Sequence, residues 1–503
     1  MRQFFTTVFI LLITTGSNAQ TCTLSGRVIN FKDTTLTLNL LYAGAHYHNQ
    51  SVEIKLNAGG KFKQTIALPY PVFALLKYNE FERRLLLSPG RNLHLSFNAL
   101  QSEENILLAG TAGKENNLLN QLKIEDIPFF MQGKWEENVY AKMPIDSLEA
   151  GVLQVVRKEY AAARIKIEST PVPGNLQQIL LKEYKYVNQC FLYDFAGNFM
   201  RWAKNKDQEQ FLNKVISLEP LPDSATLVSC LYANMMLDNY TRYQLMKAGE
   251  DFRKDSVTAK HRIESLLQMP FAEINKQAEQ YGERYILSWL YARQNLPEKI
   301  QDKVLFNKIM ESCNNKLFST AKALEDTLQR YYPTSSYFSM ARLEVNKLRQ
   351  LFEQQSGNTK IVFHTGKKIK SLKEFVQAYK GKVVYLDIWG TWCGPCRVEM
   401  GYVPELKKRY AGKDIVFVYL DMDDDNKENL WKEMAYLYEL EGEHYRLNND
   451  EIQSCWKEIE NEGGVTNRYP TYVLFDRDGK MVKANAERPG SREKLYKQLD
   501  EVL

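Results

Sequence analysis

The sequence predicts a multidomain protein: an N-terminal antiparallel β-sandwich-like domain, an α-helical middle region and a C-terminal α/β domain. Three observations carry this reading. Apolar residues alternate with polar ones from about residue 20 to 113, and recur at helical spacing from 114 to 350. Short apolar strands then alternate with helical segments from 351 to 503. The length agrees, because 503 residues exceed what one ordinary core organises.

The first residues, "MRQFFTTVFILLITTGSNAQ", join a positive Arg2 to an uncharged apolar run, Phe4 to Ile13, and a small-residue tail. That pattern predicts a secretory signal over 1–19, cleaved after Ala19 to leave Gln20. The run is short for a bilayer span. Gln20 and Thr21, preceding Cys22, lack the small apolar approach of a lipidation site. The expected location is the periplasm, with envelope association left open.

In the β-rich region, "SGRVINF", "TTLTLNLLYAG", "SVEIKLNAGGKFKQTIAL", "VFALLKYN" and "RRLLLSPGRNLHLSF" read as strands, with reversals at "NAGGKF" and "SPGRN". No histidines or acids are grouped there as a catalytic set. The middle region carries helical periodicity in "GVLQVVRKEYAAARIKIE", "LQQILLKEYKYVNQCFLYDFAGNFMRWA" and "YFSMARLEVNKLRQLFEQQ", with breaks at "PVPG", "EPLPD" and "QNLPEK". Its spaced aromatics read as core. No fixed period marks a repeat array.

After "QSGNTK" the pattern becomes a strand "IVFHTG", a helix over 371–379, a central strand "KVVYLDIW", a helix over 394–410 and a strand "DIVFVYLDM". Helices over 426–436 and 451–460, the strands of "YPTYVLFD" and "MVKANA", and a helix from Ser491 complete it. A βαβ unit followed by a β-hairpin and a terminal helix makes a compact mixed-sheet domain.

Composition excludes some functions. A formal charge of +5 with lysines spread among glutamates is no nucleic-acid footprint. The seven cysteines form no disulfide framework. Cys22, Cys190, Cys230, Cys313 and Cys455 lie far apart and read as buried small hydrophobes or unpaired thiols. Cys393 and Cys396 remain, as a CxxC. A structural zinc site needs four ligands, and no second close pair stands near; His364 and His444 are isolated. The acidic run "DMDDDNKE" over 421–428 lacks the glycine and distal glutamate of a calcium loop and reads as a solvated strand end. No metal or other cofactor is expected. The CxxC follows a central strand and opens a helix, whose free N–H groups and positive dipole end favour a thiolate at Cys393. In an exported chain this points to electron transfer rather than metal binding.

"WCGPC" after an apolar strand, with "RYPT" before "YVLFDRDGK", resembles the thioredoxin fold. "WGTWCGPCRVEM" resembles, more narrowly, the exported TlpA/ResA-like thiol-disulfide oxidoreductases. The likeness covers about residues 355–503. With the preceding regions, the chain is similar to multidomain thioredoxin-like proteins of Bacteroidetes-type bacteria.

The resemblance implies roles. Cys393 is the exposed attacking thiol and Cys396 the resolving one. Pro470 is the cis-proline beside which a partner chain docks, and Tyr469 precedes it at a substrate-touching position. Trp392 is the tryptophan before the first cysteine. Gly394 and Pro395 match the pair found in reducing thioredoxins. Asp387, six residues before Cys393, matches the family's buried aspartate, which takes the resolving thiol's proton. Glu399 matches a glutamate placed by the active site. One departure stands out: a proline usually kinks the helix where this chain has Gly401, and Pro404 comes later.

The expected activity is protein-disulfide exchange, mainly reductive. The expected partners are disulfide-containing proteins and a membrane-linked thiol reductant. Two rivals are a binding or scaffold protein with an accessory dithiol and a thiol peroxidase.

Overall fold

The computed structural model describes residues 21–44, 50–79, 81–100, 106–250, 252 and 254–503. The signal expected over 1–19 lies outside the described residues. The chain forms two compact units: Met1–Leu267 with Tyr291–Lys303, and Gln268–Leu290 with Val304–Leu503. The helical middle is thus divided between them.

The first unit begins with eight strands: β1 (Thr21–Ile29), β2 (Thr35–Leu40), β3 (Gln50–Lys55), β4 (Lys61–Ala67), β5 (Val72–Tyr78), β6 (Phe81–Leu87), β7 (Asn92–Asn98) and β8 (Leu107–Ala109). They make two four-stranded sheets, ordered β4-β1-β7-β8 and β3-β2-β5-β6. Alternation dictates the sandwich: every second residue of β1 is buried. Phe81 of one sheet stacks on Phe97 of the other, centroids 4.0 Å apart. The "NAGGKF" reversal closes on Asn57, whose Oδ1 accepts from the N–H groups of Gly59 and Lys61 at 2.9 and 3.0 Å. One pairing departs from the antiparallel expectation: β1 and β7 run parallel. Alternation fixes which face is buried and says nothing of a partner's direction.

Helices follow at Gln154–Ser169, Gly174–Asp194 and Leu231–Ala248, among others, and the "PVPG" stretch separates the first two. Short π-helical turns, Glu149–Leu153 and Phe195–Met200, adjoin them. Phe130, Phe195 and Phe211 centre this core.

The second unit carries a six-stranded mixed sheet, ordered β14-β13-β10-β11-β12-β9. Its strands are β9 (Ile361–Phe363), β10 (Val383–Trp389), β11 (Ile415–Asp421), β12 (Gly442–Arg446), β13 (Thr471–Phe475) and β14 (Met481–Lys483). All seven residues of β10 are buried. It lies parallel to β11 and antiparallel to β13. Leu386, Val418 and Val473 pack on one face with Trp456 and Ile459. The sequence reading missed β12, "GEHYR", because only His444 and Tyr445 in it are buried and no apolar alternation marks it. The helices Phe318–Tyr331 and Phe338–Gln355 belong to this unit. The Glu433 carboxylate accepts the Ser319 N–H at 3.1 and 3.2 Å, and Phe352 meets Tyr436 edge-on at 5.9 Å.

The single helix expected over 394–410 is two, Gly394–Met400 and Val403–Arg409. Pro404 stands in the first turn of the second, where its missing N–H costs nothing. The break falls at Gly401 and Tyr402, just ahead of it.

Candidate functional site

The site grows from the end of β10. The strand delivers Trp389, the turn of Gly390, Thr391 and Trp392 follows, and the helix opens with Cys393 at its N-cap. Cys393 and Cys396 form a disulfide. Cys393 Sγ also accepts the Cys396 backbone N–H at 3.1 Å, so the sulfur satisfies one of the free donors of the helix start. Expected as the exposed thiol, Cys393 is instead only 3% exposed in this disulfide form, close to Cys396 at 1%. Trp392 carries the exposure, at 57%, and Pro395 is exposed beside it, with Gly394 half-buried. Trp392 meets Tyr469 edge-on at 4.9 Å, and Tyr469 meets Trp456 at 6.0 Å. The Tyr469–Pro470 bond is cis and Pro470 is buried. Fold and ring contact thus unite Trp392 and Tyr469, residues 77 positions apart in the chain.

Asp387 sits in the middle of β10, cross-strand from Tyr419 on β11 and Tyr472 on β13. It is buried, and its Oδ1 has no hydrogen-bond partner. Desolvation pushes its carboxyl well above the usual range, and the nearby Glu399 carboxylate pushes the same way. The Tyr472 hydroxyl offsets this only in part, and no well-formed hydrogen bond satisfies that hydroxyl. Burial likewise pushes the Tyr419 and Tyr472 phenols upward, with Asp387 adding to the effect. A carboxyl held in this way keeps its proton far above its ordinary range and can pass it on locally.

Glu399, on the helix after the cysteines, is also buried but better satisfied. Its Oε2 accepts the Gly490 N–H at 2.7 Å, and Arg488 Nη1 lies 3.6 Å from Oε1. The two acids therefore differ in kind: Asp387 leaves one oxygen without a partner, and Glu399 is bonded to a backbone N–H.

Sequence reasoning missed a second pair. The run over 421–428, read as solvated, begins with two buried acids. Asp421 ends β11 in register with Trp389, and Asp423 Oδ2 accepts the Thr391 N–H at 2.8 Å. Arg397 Nη1 donates to the Thr391 carbonyl at 2.8 Å. Thr391 is thereby held at both backbone groups, which fixes the turn that presents Trp392 and Cys393. The run of acids was visible in the sequence, but the parallel register that folds its start under the turn was not. Tyr419 and Tyr472 were hidden for the same reason. Among the described residues, no group of three or more His, Cys, Asp or Glu side chains could hold a metal ion. His444 is buried, with Nε2 2.7 Å from the Leu440 carbonyl oxygen. The five remaining cysteines are all buried and unpaired.

Comparison with known proteins matches residues 364–499 to the Redoxin family. A thiol-disulfide oxidoreductase ResA of Bacillus thuringiensis subsp. konkukian is 36% identical over 138 residues, 27% of this chain and 68% of that protein. A ResA of Bacillus anthracis is 37% identical over 118 residues, 24% of this chain and 60% of that one. The crystal structure of the thioredoxin domain of a thiol-disulfide oxidoreductase from Bacteroides vulgatus is similar at 24% identity. It has a TM-score of 0.21 and covers 25% of this chain and 84% of that one. With a vicinal cysteine pair at the head of a helix and this identity over two thirds of a relative's length, the chain belongs to the thioredoxin/ResA-like family of thiol-disulfide oxidoreductases.

Proposed function

We propose that this protein is an exported, TlpA/ResA-like protein-disulfide reductase of the multidomain Bacteroidetes type, working in the periplasm. The observation that carries the reading is the Cys393–Cys396 disulfide at a helix start, reached by a strand with a buried carboxyl, Asp387, one oxygen of which has no hydrogen-bond partner. In the reduced form, the Cys393 thiolate attacks one sulfur of a substrate disulfide. That S–S bond breaks, a Cys393–substrate bond forms, and the expelled thiolate takes a proton from solvent. Cys396 gives its proton to the Asp387 carboxylate and attacks Cys393 Sγ. The second substrate sulfur leaves as a thiolate and takes a proton from solvent, so the substrate departs with two thiols and the Cys393–Cys396 disulfide remains, two electrons having passed. A dithiol donor, membrane-linked in this reading, restores the reduced pair, and Asp387 returns its proton to Cys396. The raised pKa of Asp387 suits it to hold that proton between turnovers.

The exposed Trp392, with the half-buried Tyr469 that precedes the buried cis-Pro470, offers the apolar surface on which a substrate chain would lie, and Gly394 and Pro395 border it.

Equilibration with glutathione tests the direction. A midpoint in the range of reducing thioredoxins, about −270 mV, is expected, and one near about −120 mV overturns a reductant. Cys396→Ser, which strands the mixed disulfide, should accumulate covalent protein adducts in cells. Cys393→Ser should accumulate none.

A further inference from the structure

Away from the cysteines, two tryptophans meet at the surface of the first unit. Trp135 is 39% exposed and Trp202 63%, with ring centroids 5.8 Å apart and planes inclined by 36°. Val139, on the same loop as Trp135, is 62% exposed. Large apolar side chains gathered in water signal something that covers them.

The ridge is built rather than frayed. Asn205 Nδ2 donates to the carbonyls of Ala141 and Met143 at 2.9 and 2.8 Å, tying the segment after Trp202 to the segment after Trp135. Asp207 Oδ2 accepts the Ile145 N–H at 3.0 Å. The buried Asn138 donates to the Phe130 carbonyl at 3.0 Å and accepts the Ala141 N–H at 2.9 Å. Below, Phe129 and Phe130 stand edge-on at 5.3 Å, and Phe130 meets Phe195 likewise. The two indoles are thus held outward by a rigid base.

The segments that carry them hold more cations than acids. Lys134, Lys142, Arg201, Lys204 and Lys206 are exposed. Among the described residues none of them meets a carboxylate, and Lys142 Nζ donates to the Glu136 carbonyl at 2.9 Å. Against them stand Glu136, Glu137 and Asp207, the last with an oxygen already engaged by backbone. Exposed lysine and arginine on the same segments as exposed indoles match a surface that is anionic outside and apolar just beneath. A sugar would call for neutral polar groups beside the rings, and these rings are flanked by cations and Val139.

We propose that the Trp135–Trp202 ridge docks the protein on an anionic lipid surface. The indoles and Val139 enter the headgroup boundary, while the five cations meet lipid phosphates. The ridge shares no residue with the dithiol site and is independent of the direction of electron flow.

The test uses the chain from Gln20 to Leu503, so that the apolar leader contributes nothing. Co-sedimentation is measured with vesicles of phosphatidylcholine alone and of phosphatidylcholine mixed with phosphatidylglycerol. Binding is expected only with the anionic vesicles, and it weakens as salt rises. Trp135→Ala with Trp202→Ala should lower the partition about tenfold or more. Lys204→Glu with Lys206→Glu should do the same through charge, by about fivefold or more per residue. Both pairs lie at the surface, and continued protection of the buried Cys190 and Cys230 thiols from alkylation reports that each variant remains folded. The proposal is overturned by absence of binding, by equal binding to neutral vesicles, or by variants that bind like the parent. It is also overturned if the tryptophan pair changes only self-association in sedimentation, or if the ridge answers a soluble glycan and no vesicle.

Discussion

The sandwich and the six-stranded sheet of this protein treat charge in opposite ways. In the sandwich, β1 and β4 bury one face and leave the other wet, so Arg27, Lys61 and Lys63 point outward and their charges stay hydrated. β10 of the second unit has no wet face, since all seven of its residues are buried. A carboxyl placed on it has nowhere to escape, and Asp387 is driven toward its protonated form. A one-sided sheet gives a scaffold, while a sheet covered on both faces can hold a proton for chemistry. The same contrast explains why the N-terminal strands were read without finding any chemistry in them.

The largest expected effect breaks the second half of that comparison. Asp387→Asn keeps shape and removes the titrating proton, so protein-disulfide reduction near neutral pH should slow by about a hundredfold. Alkylation of Cys393 should stay near normal, and stopped-flow kinetics across pH would reveal both. Stability should move the other way. Because the folded pKa is raised, the stability linked to Asp387 is full below the unfolded value and is lost as pH rises through the folded one. Denaturation of the oxidised protein should therefore find Asp387→Asn increasingly more stable than the parent as pH rises above the ordinary carboxyl range. Unchanged rates across pH would remove the residue from the mechanism.

The sandwich can be broken without touching the chemistry. Gly26 lies on β1 between β4 and β7, and a Cβ there would sit 1.6 Å from the Leu95 carbonyl oxygen and 3.0 Å from the Phe62 ring. Gly26→Ala must part the strands and should cost about 3 kcal/mol by chemical denaturation. The midpoint potential of the dithiol should be untouched.

The smallest effect sharpens the comparison inside the active unit. Glu399 is buried but bonded to the Gly490 N–H, and Glu399→Gln keeps an acceptor there. Its reduction rate should fall by only a few-fold, well short of the effect at Asp387. A fall equal to that of Asp387→Asn would mean that the two acids share the proton, and their titrations would then be read as a pair.

The local grammar of the chain was open to reading. Apolar runs located β10, β11 and β13, alternation located the sandwich strands, and "WCGPC" before a helix located the dithiol. Asp387 stood out because a charge within "VVYLDIW" requires a reason. These are properties of one segment and its own periodicity, so they survive without knowledge of neighbours. What escaped depends on which segments meet. β12 gained strand form from pairing with β11 and β9 rather than from apolar alternation. Asp423 became the anchor of Thr391 because β11 runs parallel to β10 and ends beside the turn. The burial of Cys393, the parallel run of β1 beside β7 and the meeting of Trp135 with Trp202 belong to the same class. A sequence determines where its apolar and charged groups recur, and the tertiary structure alone decides which of them lose water together. Desolvation is a property of the neighbourhood, and the neighbourhood is set by register and crossover.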